Sequence, residues 1–308
     1  MQINIKRFFF RHLRKMRFLP PKIYVKIHYE YFTGKKLNLV NPKDFNAKIE
    51  WYKVFFRPKI LTQLADKYEV RSYVEKKIGK QYLNELYAVY NNANEIDFES
   101  LPNQFVIKAN HTNTHNLIIK DKKNINKEKI IKQFNNWLSK NQYYKRGQEW
   151  AYKDIKPKIV IEKFLKEKDR DTLIDYKFYC FNGKPKFIDV HLDRIDDHKQ
   201  GCFDLDFNLL PFGKSKNYNK ISSDIEKPSN LSEMILLAEK LADKLPFVRV
   251  DFYSIDGKTI FGEMTFYPAD ARKEFYPDEY NLIIGDYLKL PKLNKKREPI
   301  SNLENLKY

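Results

Sequence analysis

The sequence predicts an α+β fold, and three observations support this prediction. Apolar residues recur at helical spacing over about the first hundred residues, whereas short apolar runs separated by turn residues dominate the rest. The 308 residues are 42% hydrophobic and 15% aromatic, so the chain can bury one large core or two smaller ones. Only nine glycines are present, which excludes a collagen-like or glycine-rich linker protein.

The net charge points to anionic partners. The chain carries 58 Lys and Arg residues against 40 Asp and Glu residues, a formal net charge of +18. Such an excess favours nucleic acid, a membrane surface, a nucleotide or an acidic polysaccharide. We expect no nucleic-acid partner, because the aromatic residues lie at core spacing and no helix-turn-helix, RNA-recognition or zinc-finger motif occurs. The two cysteines, Cys180 and Cys202, can form neither a disulfide framework nor a four-ligand zinc site, so a reducing compartment fits best.

The first element, residues 1–19, has the pattern of a basic amphipathic helix that Pro20-Pro21 ends. Two interpretations stay open: peripheral contact with a membrane or anionic polymer, or a terminal helix packed on its own domain. Basic residues interrupt any signal-peptide core, and no apolar run approaches the ~20 residues that span a bilayer. We therefore expect a cytoplasmic protein, free or peripheral at the inner membrane face, with a basic helical N-terminal region over residues 1–60.

The remaining body, residues 61–308, combines helices with short strands. The runs FVIKAN and NLIIKDK predict two strands joined by a polar turn at residues 111–116, with Lys108 and Lys120 on the strands. A third strand, KIVIEKFL, carries Glu162 inside an apolar run.

Later apolar runs are separated by Asn182-Gly183 and by Gly201, which predicts serial hairpins and hence an antiparallel sheet. In the first of these strands Lys177 alternates with Tyr176 and Phe178. Because successive side chains of a strand point to opposite faces, Lys177 is expected to face a site while its aromatic neighbours face the core.

The last hairpin, RVDFYSIDGKTIFGEMTFYP, carries the strongest chemical signal. Gly257 suits a three-residue loop that residues 254 and 258 close, so residue 249 is expected to face residue 263. A two-residue Asp256-Gly257 turn would instead pair residues 255 and 258 and separate the two carboxylates onto opposite faces. On the three-residue register one face of the sheet carries Arg249, Asp251, Glu263 and Thr265.

Two carboxylates on neighbouring strands form a hard oxygen site of the kind that suits Mg²⁺ together with phosphate oxygens and water. The arginine beside them can stabilise developing negative charge. The alternative is a surface hairpin with cross-strand ion pairs and no catalytic role.

Five motifs, in the order LADKYEVRSYV, LPNQFVIKANH, DYKFYCFNGKPKFI, RVDFY and FGEMTFYPA, resemble those of the TupA-like ATP-grasp family over about residues 40–290. The resemblance implies an ATP-grasp-like body with two sheet-containing lobes around a nucleotide cleft. The nucleotide-covering lobe would span about residues 101–165, and the metal and substrate lobe residues 166–308. It also implies ATP and Mg²⁺ as cofactors.

The activity implied by the resemblance is that of a carboxylate–amine ligase working through an acyl phosphate. Its partners would be an acidic polysaccharide or lipid-linked sugar acceptor, which supplies a uronic-acid carboxylate, and an amine or amino-acid donor. The implied catalytic residues are Arg249 and Lys177, and the implied metal ligands are Asp251, Glu263 and Thr265. The implied nucleotide-binding residues are Lys67, Lys108, His111, Asn116, Lys120, Glu162, Lys163, Phe164, Leu165 and Asp169.

Two segments depart from the family pattern. Residues 111–116 contain no glycine where the family carries a sequence close to H-G-S-G, and residues 268–272 lack the small residues expected after the proline. A glycine-rich turn lets backbone N–H groups approach phosphates closely. Two alternatives therefore stay open: a nucleotide-dependent glycan kinase or glycosyltransferase, and a non-catalytic pseudoenzyme that binds anionic glycan.

Overall fold

A computed structural model of the chain describes residues 12–13, 16, 18–112, 114–145, 147–168, 173–192, 198–214, 219–221, 225–304 and 306–308. The helices over these residues are α1 Pro21–Thr33, α2 Phe45–Phe55, α3 Ile60–Ala65, α4 Val70–Lys77, α5 Lys127–Leu138, α6 Gln142–Lys145, α7 Leu231–Ala242 and α8 Glu279–Tyr287. Single 3₁₀ turns lie at Lys80–Tyr82, Ala93–Glu95, Lys122–Asn124, Trp150–Tyr152 and Pro268–Ala271.

The strands are short, and most of them pair with a neighbour in sequence. They are β1 Leu86–Tyr90, β2 Phe105–Ala109, β3 Asn116–Ile119, β4 Ile159–Lys163, β5 Asp175–Phe181, β6 Lys184–Leu192, β7 Lys199–Phe203, β8 Gly213–Lys214, β9 Asn219–Lys220, β10 Phe247–Ile255, β11 Lys258–Thr265 and β12 Phe275–Tyr276. The α+β class predicted from the sequence is confirmed.

Local sequence signals set several helix ends. Pro21 occupies the first turn of α1, where a missing N–H costs nothing, and Gly34 ends the helix in the left-handed conformation with φ 73°. Asp44 caps α2 by accepting a hydrogen bond from Ala47 N at 2.9 Å, and Asn126 caps α5 in the same way from Lys129 N at 2.8 Å.

The first sheet has four strands in the order β1-β4-β2-β3, all antiparallel. One face packs against α5 and forms a compact apolar cluster, because alternate residues of β2 and β4 point that way. The opposite face carries Val106, Lys108, Val160 and Glu162, which pair across β2 and β4. This face therefore places the charged side chains of Lys108 and Glu162 side by side.

The second sheet has six strands in the order β11-β10-β5-β6-β7-β9, antiparallel except for the last pair. Helix α7 covers one face, where Cys180 Sγ lies 4.0 Å from Ala238 O. The other face carries the charged residues of the strands, and α2 covers its apolar end, where Phe45 contacts Phe181 and Phe247.

The large hydrophobic cluster includes residues of α1 and α2 as well as of the second sheet. Tyr52 of α2, for example, donates its hydroxyl to Phe247 O of β10 at 3.1 Å. Packing thus crosses the boundary at residue 60, and the division into residues 1–60 and 61–308 stays a prediction. Residues 1–11 of the predicted amphipathic helix lie outside the described residues, and no helix of the described part of the chain is long and apolar enough to cross a membrane.

The register of the last hairpin differs from the predicted one. Ile255 pairs with Lys258, so the loop is the two-residue Asp256-Gly257 turn, with φ of 49° and 77°. The prediction of a three-residue loop, and of residue 249 facing residue 263, was wrong. A β-bulge at Gly262 shifts the pairing by one residue, so that Asp251 faces Glu263 after all.

The bulge requires a close approach of two backbones. A Cβ added to Gly262 would lie 3.0 Å from Asp251 O, tighter than an ordinary contact. Because Asp251 is opposite Glu263 and Arg249 is opposite Thr265, these four side chains share one face of the sheet, as predicted.

Candidate active site

A row of charged residues crosses the face of the second sheet that is opposite α7. Cross-strand pairing places Glu263 opposite Asp251, Asp251 opposite Lys177, and Lys177 opposite Asp189. Directly opposed residues of antiparallel strands point to the same face, with strands about 4.8 Å apart. Two hairpins that are distant in sequence, β5–β6 and β10–β11, thus contribute one side chain from each of their four strands to a single line.

Arg249 gathers the oxygens of three neighbours. Its Nε donates to Asp251 Oδ1 at 2.6 Å, and its Nη2 donates to Asp251 Oδ2 at 2.6 Å, to Glu263 Oε1 at 2.8 Å and to Thr265 Oγ1 at 3.0 Å. Lys177 Nζ donates to Asp251 Oδ2 at 2.7 Å from the other side. Asp251 is therefore held by two cations in a bidentate, charge-assisted arrangement.

The neighbouring charges determine the protonation states of Asp251 and Arg249. Burial alone would raise the pKa of Asp251, but Arg249 and Lys177 together lower it below its usual value. Burial would likewise lower the pKa of Arg249, and the charges of Asp251 and Glu263 raise it instead. Asp251 is an ionised carboxylate, and Arg249 is a guanidinium ion at neutral pH.

The donor set fits a hard divalent cation. Oxygens of Asp251, Glu263 and Thr265 all lie within 3.0 Å of one positive atom, Arg249 Nη2, which shows that they converge on a common point. Two carboxylates with a hydroxyl, completed by phosphate oxygens and water, are the ligands that Mg²⁺ takes in nucleotide sites. Over the described ranges no group of three or more His, Cys, Asp or Glu side chains is arranged to hold a metal ion, so this site has two carboxylates and no third ligand of these types.

The polar face of the first sheet carries a second charged group. Lys108 Nζ donates to Glu162 Oε2 at 2.6 Å, and Arg71 Nη1 of α4 donates to Glu162 Oε1 at 3.0 Å. Arg71 Nη2 also donates to Asn84 O at 2.7 Å, which fixes the guanidinium. Sequence reasoning missed Arg71, although it lies four residues after Lys67 in the first family motif, the spacing that places two side chains on one helical face.

Lys67 lies where the two polar faces meet. The charges that act on it come from Glu263 of the second sheet and from Lys108 and Glu162 of the first, while burial lowers its pKa. Its backbone N–H donates to Asn110 O at 3.2 Å, and its ammonium donates to the carbonyl of Thr112. The two sheets thus form one cleft with cations on both walls.

The turn at residues 111–116 is packed rather than open. The His115 ring stacks on Trp137 with centroids 4.5 Å apart, and His111 Nε2 lies 3.1 Å from Lys140 O. Thr112 Oγ1 accepts a hydrogen bond from His115 N at 3.2 Å. Both histidine rings face α5 and the segment after it, so a role of His111 in nucleotide binding stays a prediction.

The other predicted nucleotide-binding residues lie around the cleft at different depths. Asn116 is exposed and pairs with Lys108, on the same face. Lys120 is exposed and lies one residue beyond β3 rather than on it. Lys163 ends β4 with its ammonium 3.1 Å from Glu85 Oε2, and the half-buried Phe164 and Leu165 follow it. Asp169 lies outside the described residues.

The sequence model of the family described as TupA-like ATPgrasp matches residues 47–289, well over half of the 308 residues. The chain belongs to the TupA-like ATP-grasp family. The family that the motifs resemble is thereby confirmed, and with it the ATP-grasp-like arrangement of two sheet-containing lobes. No curated protein matches the sequence.

Solved structures similar to this TupA-like chain are distant. The D-alanine–D-alanine ligase from Bacillus anthracis in complex with ATP shows 15% identity and a TM-score of 0.41, with 67% of this chain and 57% of that chain covered. The D-alanine–D-alanine ligase from Helicobacter pylori shows 15% identity and a TM-score of 0.41, with 80% and 68% covered. An ADP complex of N5-carboxyaminoimidazole ribonucleotide synthetase shows 11% identity and a TM-score of 0.40, with 67% and 46% covered. The chain thus spans less than two thirds of the B. anthracis ligase.

Proposed function

We propose that this TupA-like chain is an ATP- and Mg²⁺-dependent ligase that joins an amine or amino acid to a carboxylate. The acceptor is a uronic acid of a cell-surface polysaccharide or of its lipid-linked precursor. The observation that carries the proposal is the convergence of Asp251, Glu263 and Thr265 on Arg249, across a cleft from Lys67 and Lys108.

The reaction needs positive charge at two points. In the first step a carboxylate oxygen attacks the terminal phosphorus of ATP, ADP leaves, and an acyl phosphate forms. In the second step the amine attacks the acyl carbon, phosphate leaves, and the amine loses a proton as the amide forms. Bound Mg²⁺ would neutralise phosphate charge between Asp251 and Glu263.

The residues of the chain supply the remaining charge. Lys67 and Lys108 lie on the wall opposite the carboxylates and would hold nucleotide phosphates. Arg249 would shift from its present carboxylate partners to the acyl phosphate, whose charge it stabilises in the transition state. Lys177, held against Asp251, keeps that carboxylate ionised and oriented.

The nucleotide base would lie at the end of β4. Glu162 ends its apolar run beside Lys108 and Arg71, and the backbone of residues 163–165 continues from it without sheet pairing beyond Lys163. The backbone N–H and C=O groups of Phe164 and Leu165 would bind the adenine edge, and Asp169 would bind the ribose. A peripheral membrane contact through residues 1–19 would bring this site to a lipid-linked acceptor.

The glycine-free turn favours a second candidate function, phosphoryl or glycosyl transfer to a glycan hydroxyl. Thr112 uses its hydroxyl to hold the backbone of His115, and both histidine rings are packed against α5 and the segment after it. Phosphate contacts through this turn would therefore be fewer than in a glycine-rich loop.

One experiment separates these functions. Purified protein is incubated with ATP, Mg²⁺, a uronic-acid oligosaccharide and a panel of amino acids, while ADP release and product mass are measured. A ligase releases ADP only when the carboxylate is present, gives a hydroxamate when hydroxylamine replaces the amine, and yields a condensed product. A product heavier by a phosphate or a sugar supports the transferase, and nucleotide binding without turnover supports the pseudoenzyme.

A further inference from the structure

Lys214 is a buried cation for which the described residues supply no anionic partner. Its residue is 7% exposed, and its Nζ donates a hydrogen bond to the hydroxyl of Tyr179. The ammonium lies 4.7 Å from the Tyr179 ring centroid and 5.4 Å from that of Phe275. No Asp or Glu oxygen of the described residues lies within ion-pair distance of it, although the chain contains 40 carboxylate side chains.

The other buried lysines of the described chain, Lys53 and Lys177, each form ion pairs with carboxylates. Lys53 forms ion pairs with Glu50 at 3.1 Å and Asp270 at 2.8 Å. Lys177 pairs with Asp251 at 2.7 Å and lies 3.5 Å from Asp175. Removing an ammonium ion from water costs several kcal/mol unless a counter-ion compensates, so an unpaired buried lysine needs a reason.

The position of Lys214 places it beside the reaction site. Tyr179, its hydrogen-bond partner, lies directly opposite Arg249 across β5 and β10. Tyr179 therefore shares the face that carries Asp251 and Glu263, and the strand of Asp251 is the next one, about 5 Å away. An anion bound to Lys214 would lie on the substrate side of the sheet.

The surrounding charges and burial determine the pKa of Lys214, and so whether it carries the positive charge that binds an anion. Burial lowers its pKa to about 8, and the charges of Arg249 and Lys273 act in the same direction. Asp189 and the Cys202 thiol act in the opposite direction without touching it. Asp189 is committed elsewhere, since it accepts from Gln200 Nε2 at 2.8 Å and lies 3.2 Å from His191 Nε2. Lys214 is mainly protonated at pH 7.

A cavity of about 250 Å³ lies near this lysine: Lys214 is not among its lining residues, but Phe212, two residues earlier in the chain, is. Gln200 and Cys202 line it, and they face the same side of the sheet as Asp251. Phe212, two residues before Lys214, and Tyr276, which pairs with Gly213, complete the near wall. Pockets for drug-sized ligands span about 300–1,000 Å³, so this one suits a smaller unit such as one sugar ring or one amino-acid side chain.

We propose that Lys214 binds a carboxylate of the substrate other than the one that is activated, and that the neighbouring cavity holds the body of the unit that carries it. The proposal rests on the proposed ligase function and adds a requirement: at least one substrate has a second carboxylate. The amino-acid donor could carry it, or the next uronic acid of the acceptor. The chemistry recognised is the same in both cases.

The test compares Lys214→Met with Lys184→Met, which removes an exposed lysine of β6 that pairs with Glu239. Donors are tested as amino acids and as amino-acid amides, and acceptors as uronic-acid oligosaccharides and as partial methyl esters. In wild type and Lys184→Met, removing the recognised carboxylate should raise KM about 10- to 100-fold, as expected for a lost charge-assisted hydrogen bond. In Lys214→Met the same change should leave KM nearly constant, with kcat largely retained.

The donor and acceptor arms show which molecule carries the carboxylate. An equal KM penalty in wild type and Lys214→Met would overturn the proposal, as would a loss of kcat that is the same for every substrate. Failure to fold is not expected, because methionine removes an unpaired buried charge and keeps most of the volume. We expect its melting temperature to equal or exceed that of wild type.

A measurement without turnover separates this proposal from the ligase function. Protein labelled with ¹³C-lysine is titrated with alanine or glucuronate alone, and the Lys214 signal is assigned by its absence in Lys214→Met. A bound carboxylate stabilises the ammonium, so the pKa of Lys214 should rise from about 8. A rise without ADP release would leave the carboxylate site standing and remove the ligase, whereas ADP release with no change in the pKa for either probe would remove the carboxylate site.

Discussion

Two ionic networks lie near the same end of the β10–β11 pair, and they differ in how they are enclosed. The cleft network joins Arg249, Lys177, Asp251 and Glu263, and the Glu263 side chain is 33% exposed. The enclosed network joins His28, Glu50, Lys53 and Asp270, whose side chains are between 0% and 7% exposed. The cleft network is therefore partly accessible to a ligand, whereas the enclosed network is surrounded by protein.

The enclosed network holds the N-terminal helices to the second sheet. His28 Nδ1 of α1 lies 2.6 Å from Glu50 Oε1 of α2, and Lys53 Nζ lies 2.8 Å from Asp270 Oδ1. Asp270 belongs to the turn that follows β11, where Ala269, Asp270 and Ala271 all have positive φ. Such a conformation is costly for residues with a side chain and persists only when the surroundings impose it. The network is therefore a structural clamp, whereas the cleft network can exchange partners.

The largest expected effect is on the clamp. Lys53→Met removes the lysine that pairs with the buried Glu50 and Asp270 carboxylates, so we expect a loss of about 3–5 kcal/mol in the free energy of unfolding. Urea denaturation followed by circular dichroism measures it. Lys59→Met, which removes an exposed lysine at the start of α3, serves as the control and should change stability by less than about 0.5 kcal/mol. Equal losses in the two variants would show that the clamp stabilises the fold no more than an exposed lysine does.

The cleft network should respond in activity more than in stability. Asp251→Asn removes one of two carboxylates at the predicted metal site, and we expect at least a 100-fold loss of turnover, or about 3 kcal/mol. Initial rates of ADP release at several Mg²⁺ concentrations measure it. Asp243→Asn, an exposed change at the end of α7, is the matched control. Wild-type rates in Asp251→Asn would refute the assigned metal site.

The contrast also shows how far the sequence could predict the fold. The strands over FVIKAN, KIVIEKFL and the RVDFY hairpin follow from local alternation and turn residues, and the structure contains them as β2, β4 and β10–β11. Asn182-Gly183 forms the two-residue turn that its composition favours. The bulge at Gly262 could not be placed in this way, because it depends on the approach of its backbone to Asp251 O.

The site was predicted where its residues are near in sequence and missed where they are not. Asp251 and Glu263 lie on one hairpin, so a local rule connects them. Arg71 reaches Glu162 from 91 positions away, and Lys214 reaches Tyr179 from 35, through packing that no periodicity reveals. One signal was available: Asp189, like Glu162, is a lone carboxylate inside an apolar strand, and a carboxylate is almost never fully buried without a partner.

The pH dependence of the clamp gives a smaller effect of defined sign. Burial would lower the pKa of His28, but the charges of Glu50 and Asp270 raise it above its usual value of 6.5. Its stabilising contribution is therefore complete below that value and is lost as the pH rises through the folded-state pKa.

We expect wild type to exceed His28→Gln in unfolding free energy by about 1 kcal/mol more at pH 5.5 than at pH 8.5. Urea denaturation of both proteins across this range measures the difference. His12→Gln, in the N-terminal segment, controls for the loss of a histidine as such. A difference that is constant with pH, or that grows with rising pH, would contradict the assigned direction of the pKa shift.

The smallest effect comes from an ion pair with the same geometry as one in the clamp. Lys77 Nζ lies 2.8 Å from Asp243 Oδ2, as Lys53 Nζ does from Asp270 Oδ1, but the Lys77 and Asp243 side chains are 35% and 42% exposed. Water screens an exposed pair and leaves neither partner desolvated when the other is removed. We expect Lys77→Met to change the free energy of unfolding by less than about 0.5 kcal/mol, and still less in 0.5 M salt. A loss comparable to that of Lys53→Met would mean that distance rather than enclosure determines the strength of these pairs, and the distinction between clamp and cleft would have to be redrawn.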